Sequence, residues 1–254
     1  MITMGKVFVF VNQKGGVGKT TSAINLGAYL SLMDRKTLLI DFDPQGNMSS
    51  GLGLYEKVPS IYEVLIKKIG IKDAIKMTKL KNLFAIPATI DLSGATIELV
   101  STEKRDFYLL DAINEVRNSY EYILIDCPPS LGILTLNGLV AADEVHIPMQ
   151  CEYFALEGLT LLLETIKRVQ SSSNSNLKLG GIFFTMFDPR TKLAQEVVQQ
   201  VKSYFADKVF STIIPRNVKL SEAPSHGLPI CLYDDKCAGA LAYKKLAEEV
   251  GQVE

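Results

Sequence analysis

The chain has 254 residues, 47% of them hydrophobic and 22% charged, and a net charge of −1. This is the make-up of an ordinary globular protein of one large or two small domains, with no global field to draw in nucleic acid. No apolar run reaches the ~18 residues of a membrane span, the N-terminus lacks the layout of a secretion signal, and Cys127, Cys151, Cys231 and Cys237 show no C-x-x-C spacing for a zinc site or disulfide framework.

In chain order, Lys6 to Val11 (KVFVFV) reads as a short buried strand. Asn12 to Thr21 (NQKGGVGKTT) is a glycine-rich loop, and the stretch to Met33 is helix-compatible. Strand, glycine-rich loop and helix form a phosphate cradle, because backbone N–H groups converge where side chains are absent. Gly18-Lys19-Thr20 matches the end of the P-loop pattern, whereas Gln13 stands where its first glycine belongs and a second lysine, Lys14, precedes Gly15-Gly16. No acid lies between Asn12 and Asp34, so a polyphosphate is the natural ligand.

Further strands are expected at Thr37 to Asp41, Leu83 to Ile86, Tyr122 to Asp126, Glu144 to Pro148, Gly180 to Thr185 and Lys208 to Ile214. They are near-continuous apolar runs, which suits a parallel sheet covered on both faces. Helical stripes lie between them: Leu109, Ile113 and Val116; Leu159, Leu162, Leu163, Ile166 and Val169; Leu193, Val197, Val201, Tyr204 and Phe205. Ser171 to Asn176 (SSSNSN) is a surface loop. The expected fold is α/β: residues 1–254 as one doubly wound, mostly parallel sheet flanked by helices, of the P-loop NTPase type with a deviant Walker A loop.

Unusual residues follow strand after strand: Lys14 to Thr20, Asp43 to Asn47, Asp126 to Pro129, Gln150 to Glu152, Asp188 to Arg190 and Pro215 to Asn217. In an open parallel sheet all these strand ends lie on one edge, where ligands bind. Lys19 is expected to reach the β- and γ-phosphates and Thr20 to ligate Mg²⁺, with Gly15, Gly16, Val17, Gly18 and Thr21 completing the loop. Asp126 ends the strand YILID, the place of the carboxylate that holds the metal's water; a strand-end Asp also serves as a cap. Asp43 is the candidate for orienting the attacking water, and Asp43-Pro44-Gln45-Gly46 reads equally as a turn. Lys14 is the candidate cation for the departing charge, serving its own nucleotide or that of a second subunit.

Together, KGGVGKTT, IDFDPQGN, LIDCPPS, PMQCEYFALEGL and IPRNVKLSEAPSHG resemble the ParA/MinD superfamily of deviant Walker ATPases, and within it the Soj/ParA partitioning ATPases, from about Lys6 to Leu246. The resemblance implies an ATP- and Mg²⁺-dependent sandwich homodimer in which Lys14 acts in trans and Gly15 and Glu152 lie at the interface. It implies an adenine pocket around Met186, Pro215, Arg216 and Asn217. It also implies sequence-independent binding of double-stranded DNA through Arg190, Arg216 and Lys219, slow hydrolysis stimulated by a ParB-type partner, and a cytoplasmic protein that is nucleoid-associated when ATP-bound. The three basic residues fall within Leu177 to Lys219, which carries seven bases against three acids, although on charge alone these are also solvated helix faces. Because the resemblance begins at Gly5-Lys6, Met4 is an alternative start to Met1, and without an N-terminal DNA-binding extension direct operator repression is not expected.

Rival readings are a MinD-like membrane-cycling ATPase, an electron-transferring iron protein and a nucleotide-gated DNA-binding scaffold with negligible turnover. The acidic tail LAYKKLAEEVGQVE argues against the first. The second needs paired cysteines, whereas Cys127 reads as a small packed residue. Intact Lys19, Thr20, Asp43 and Asp126 argue against the third.

Overall fold

The computed structural model describes residues 4–55 and 59–252. Met1 and the last two residues of the acidic tail lie outside them, whereas Met4, the alternative start, lies within them. The strands are β1 (Lys6–Phe10), β2 (Thr37–Asp41), β3 (Lys76–Met77), β4 (Leu83–Ile86), β5 (Tyr122–Asp126), β6 (Glu144–Gln150) and β7 (Lys178–Thr185). The helices are α1 (Lys19–Leu32), α2 (Asn47–Gly51), α3 (Ile61–Leu65), α4 (Ile71–Ala74), α5 (Leu92–Glu98), α6 (Tyr108–Asn114), α7 (Ile133–Ala141), α8 (Ala155–Ser172), α9 (Lys192–Phe205), α10 (Val218–Glu222), α11 (Ile230–Tyr233) and α12 (Ala238–Gln252).

The sheet runs β3-β4-β2-β5-β1-β6-β7, and only β3 is antiparallel to its neighbour. Alternate residues of the apolar strands face opposite sides, as the strand period of two requires. Val7, Val9, Leu38, Ile40, Ile123 and Ile125 pack into a core with α3 to α9. Phe8, Phe10, Leu39, Tyr122 and Leu124 pack into a second core under α1 and α12. Every residue of β2 and β5 is buried, and each large aliphatic side chain so placed contributes about 1.5–3 kcal/mol. The register sets Phe10 and Asp41 each opposite Asp126. The ends of β1, β2 and β5 are therefore level, and their following loops share one edge.

The expected strand Lys208–Ile214 does not form. Phe210 N–H donates to the Ile182 carbonyl and Ile214 N–H to that of Phe184, but the Ser211 and Thr212 N–H groups between them donate to the Glu249 carboxylate on α12. The segment bridges β7 at the single pair Ile182–Val209 and forms no continuous ladder with it, because a helix side chain takes donors a ladder would need. Its Phe210 ring lies over Gly181, where a Cβ would meet it at 2.1 Å. The apolar stripe of α9 is centred on Ala194, Val197 and Val201, while Leu193 and Tyr204 are exposed. Likewise α8 runs on to Ser172, so the serine-rich patch begins inside a helix. The short edge strand β3, which carries no sustained apolar pattern, was absent from the sequence reading.

Candidate nucleotide site

The loop between β1 and α1 is shaped by two left-handed glycines, Gly16 at φ 74° and Gly18 at φ 87°, a backbone region costly for other residues. No side chain caps α1 at Gly18 and no acid lies in its first turn. The helix thus presents free N–H groups and its positive dipole end to the loop. The loop is held from both sides. Asn12 donates to the Pro148 carbonyl and accepts from Lys14 N–H, Thr185 Oγ1 donates to the Val17 carbonyl at 2.7 Å, and Gln150 Nε2 reaches Gly16 and the Met186 sulfur.

Lys19 is buried, and its Nζ donates to the Lys14 carbonyl at 3.3 Å. Burial lowers its pKa, while Asp126 and Asp43 oppose that shift. Asp126 is fully buried, and neither carboxylate oxygen meets hydrogen-bond geometry with any group among the described residues. Its pKa is raised to about 8, first by burial and then by Asp41; the nearby Thr20 hydroxyl and Lys19 oppose the rise. A buried carboxylate left this way lacks a cation or an ordered water. Among the described residues no three acidic, His or Cys side chains gather to bind a metal unaided. Thr20 and Asp126 therefore fit Mg²⁺, which keeps much of its water and takes few protein ligands.

The two aspartates after β2 have separate duties. Asp41 is buried and accepts from Ser49 N–H at 2.8 Å and Ser49 Oγ at 2.6 Å, which pins α2 to the sheet. Burial raises its pKa to about 6. Asp43 Oδ1 accepts from Gln45 N–H, and its carbonyl accepts from Gly46 N–H, at φ 63°. The turn is therefore present, and Asp43 still lies near enough to influence Lys19.

Lys14 turns away from this phosphate side. Its half-exposed ammonium pairs with Glu152 after β6. Gly15 is exposed, and a Cβ added there would meet nothing within 4 Å. Tyr153, Phe154 and Leu161 stand exposed beside them.

On the other side of the loop opens a cavity of about 490 Å³, lined among others by Gly18, Thr21, Met186, Pro215, Arg216 and Asn217. The expected adenine residues thus share one space with the loop. Met186 is left-handed, at φ 50°, an uncommon state for such a side chain; its terminal methyl would lie 3.8 Å from a Cβ at Gly18. Asn217 also caps α10 through Lys219 N–H. Thr185, Leu220, Ser221, Pro224 and Tyr243 line the same cavity and were missed, since single residues so far from the loop form no spaced motif. Tyr243 reaches it from α12, anchored to Ser22 of α1 at 2.9 Å.

Of the basic residues, Arg190 is exposed but forms a two-bonded pair with Asp188, which lowers the Asp188 pKa to about 2. Lys219 pairs with Glu222 at 2.9 Å and lies over the Tyr233 ring. Arg216 is exposed and close enough to Asp188 to help depress its pKa. Cys127 is buried, with its sulfur against Gly138.

The chain is similar to known proteins in sequence and in fold. The AAA domain family matches residues 5–179. The chromosome-partitioning ATPase Soj of Treponema pallidum is 70% identical over 247 residues, 97% of this chain and 97% of that one. The sporulation initiation inhibitor protein Soj of Bacillus subtilis is 54% identical over 250 residues, 97% of this chain and 98% of that one. Among solved structures, one described as cobyrinic acid a,c-diamide synthase from Mycobacterium smegmatis, with bound ATP analogue and magnesium, superposes with a TM-score of 0.83 at 37% identity, covering 96% of this chain and 93% of that one. With this fold, this loop and these relatives, the chain belongs to the Soj/ParA family of chromosome-partitioning ATPases.

Proposed function

We propose that this ATPase works as a nucleotide-timed switch: ATP and Mg²⁺ drive two copies together, the dimer binds duplex DNA without sequence preference, and hydrolysis releases it. One observation carries the reading. The two lysines of the loop point to different places, Lys19 into the buried site and Lys14 out to Glu152 at an exposed surface. Lys19 holds the phosphates of its own nucleotide, and Thr20 with Asp126, through water, holds Mg²⁺. Lys14 exchanges Glu152 for the nucleotide of the second copy, where its charge meets the charge developing on the departing phosphate. Bound Mg²⁺ supplies further neutralisation of that charge. Asp43 orients the attacking water, and Met186 and Pro215 to Asn217 hold the base.

Exposed Gly15, Tyr153, Phe154 and Leu161 beside Lys14 support a close approach of two copies on this face. DNA is bound through Arg190, Arg216 and Lys219, two of which must open an ion pair to do so. Turnover is slow, because the lifetime of the ATP state sets the time on DNA, and a ParB-type partner shortens it. The protein acts in the cytoplasm, on the nucleoid when ATP-bound.

A membrane-cycling role is disfavoured by α12, whose Ala240, Tyr243, Leu246, Ala247 and Val250 are buried in the core. Among the described residues no helix is long and apolar enough to cross a membrane. The test is co-sedimentation with DNA in ATP, ADP and no nucleotide at two salt concentrations. Binding in ATP alone, weakened by salt, is expected; equal binding in all three states would refute the switch.

A further inference from the structure

Outside the nucleotide site, the most lopsided charge in the chain lies between Lys67 and Lys81, with six lysines against one acid, Asp73. The segment comprises α4, β3 and the turns around them, at the sheet edge opposite β7. Among the described residues none of these lysines has a carboxylate within ion-pair distance. Lys67 and Lys68 border Asp111 and Glu115 and lie over Tyr108 and Tyr62, so their charge is partly spent. Lys72, Lys79 and Lys81 are exposed and Lys76 is half-exposed. Lys36 joins the same edge through the ring of Phe84, the register partner of Met77. The acids nearby are Asp73 and Asp34, the latter bonded to Asn82, while Glu121 is held by Arg35.

We propose that Lys36, Lys72, Lys76, Lys79 and Lys81 form a second contact surface for the phosphate backbone of duplex DNA. The inference rests on the DNA-binding reading above and extends it to a face that reading does not use. Guarding a sheet edge against pairing is the simpler duty of edge lysines, but β3 is two residues long and only Lys76 lies on it. The rest stand off the strand. Their charge is also uncompensated, whereas Arg190 and Lys219 are paired with acids. Lysines are point charges without a recognition fork, which suits phosphates read for position and not for sequence. The strip continues into the Lys219 region, because Lys79 Nζ donates to the carbonyl of Gly227, just beyond the turn that follows α10.

The test is the triple variant Lys72→Gln/Lys76→Gln/Lys81→Gln, with Lys79 kept because it ties down Gly227, and the matching triple Arg variant as a control. Binding of a labelled 40-base-pair duplex of arbitrary sequence is measured in ATP across a salt series. Three lost phosphate contacts lower the slope of log affinity against log salt by up to about 3, and weaken binding by at least about tenfold near 0.1 M salt. The Arg variant restores both, and ATP affinity is unchanged in each. If the Gln variant keeps the parent's affinity and slope while Arg190→Glu loses DNA, the strip is not a DNA surface and the function stands. If the Gln variant instead loses only labelled polyglutamate, the strip serves an acidic polypeptide and the proposal fails. If the parent binds no duplex in any nucleotide state, the DNA-binding reading itself falls.

Discussion

The buried charges after β2 and β5 make the most direct predictions for single residues. Free carboxylates ionise near pH 4, whereas Asp41 and Asp126 are raised to about 6 and about 8 in the folded chain. A raised carboxylate pKa favours the fold fully below the unfolded value, and that benefit is lost as pH rises through 6 and then 8. The nucleotide-free protein should therefore melt lower at pH 8 than at pH 5.5. Asp126→Asn should remove much of that loss, raising the pH 8 melting temperature by roughly 2–4 °C for each ~1 kcal/mol regained, and it should lose Mg²⁺-dependent nucleotide binding. An Asp126→Asn protein with the parent's pH profile would contradict the orphaned carboxylate. Asp43→Ala should keep nucleotide affinity and lower turnover by about 10²-fold, read by phosphate release; wild-type turnover would remove Asp43 from the chemistry. Lys19→Ala should weaken nucleotide binding by about 10- to 100-fold, the worth of a hydrogen bond to a charged group, as titration calorimetry can check. These residues were legible in the sequence because each sits at a fixed offset from a strand end. Asp43 is preferred to Asp41 in the sequence because it lies further into the loop; the structural duty of Asp41 was not legible, since it depends on Ser49, which reaches Asp41 only once α2 has folded back.

Among the elements, α1 links the loop to the second core, into which its Ala23, Ile24, Leu26 and Leu30 pack. Its Gly27 faces β2 so closely that a Cβ would lie 2.6 Å from the Leu39 side chain. Gly27→Val should cost about 1–3 kcal/mol through overpacking while leaving ATP affinity intact; an unchanged melting temperature would contradict that close approach. Strands β1, β2, β4 and β5 were readable because two-sided burial leaves a continuous apolar run. The segment from Lys208 to Ile214 carries the same signal and is no strand, because Glu249 of α12 takes two of its N–H groups. That choice is made some 40 residues away, and no local pattern reports it. A far longer separation, 221 residues between Ser22 and Tyr243, hid Tyr243, which lines the cavity where Ser22 and Asn25 of α1 hold the C-terminal region in place.

At the scale of the whole molecule, the phosphate loop, Asp126 and the cavity beside the loop lie within one chain, yet Lys14 points outward beside an exposed glycine and exposed Tyr153 and Phe154. We propose that ATP closes two copies on this face. The deciding measurement is the sedimentation-derived mass of the protein without nucleotide, with Mg-ADP and with a non-hydrolysable Mg-ATP analogue, for the parent and for Gly15→Val. Since Gly15 has nothing within 4 Å of an added Cβ, the variant should keep its fold, and its nucleotide affinity is measured alongside. The account predicts a dimer for the parent with the analogue alone and a monomer for Gly15→Val under every condition. A parent that binds the analogue and stays monomeric, or a Gly15→Val protein that dimerises with it, would contradict the account.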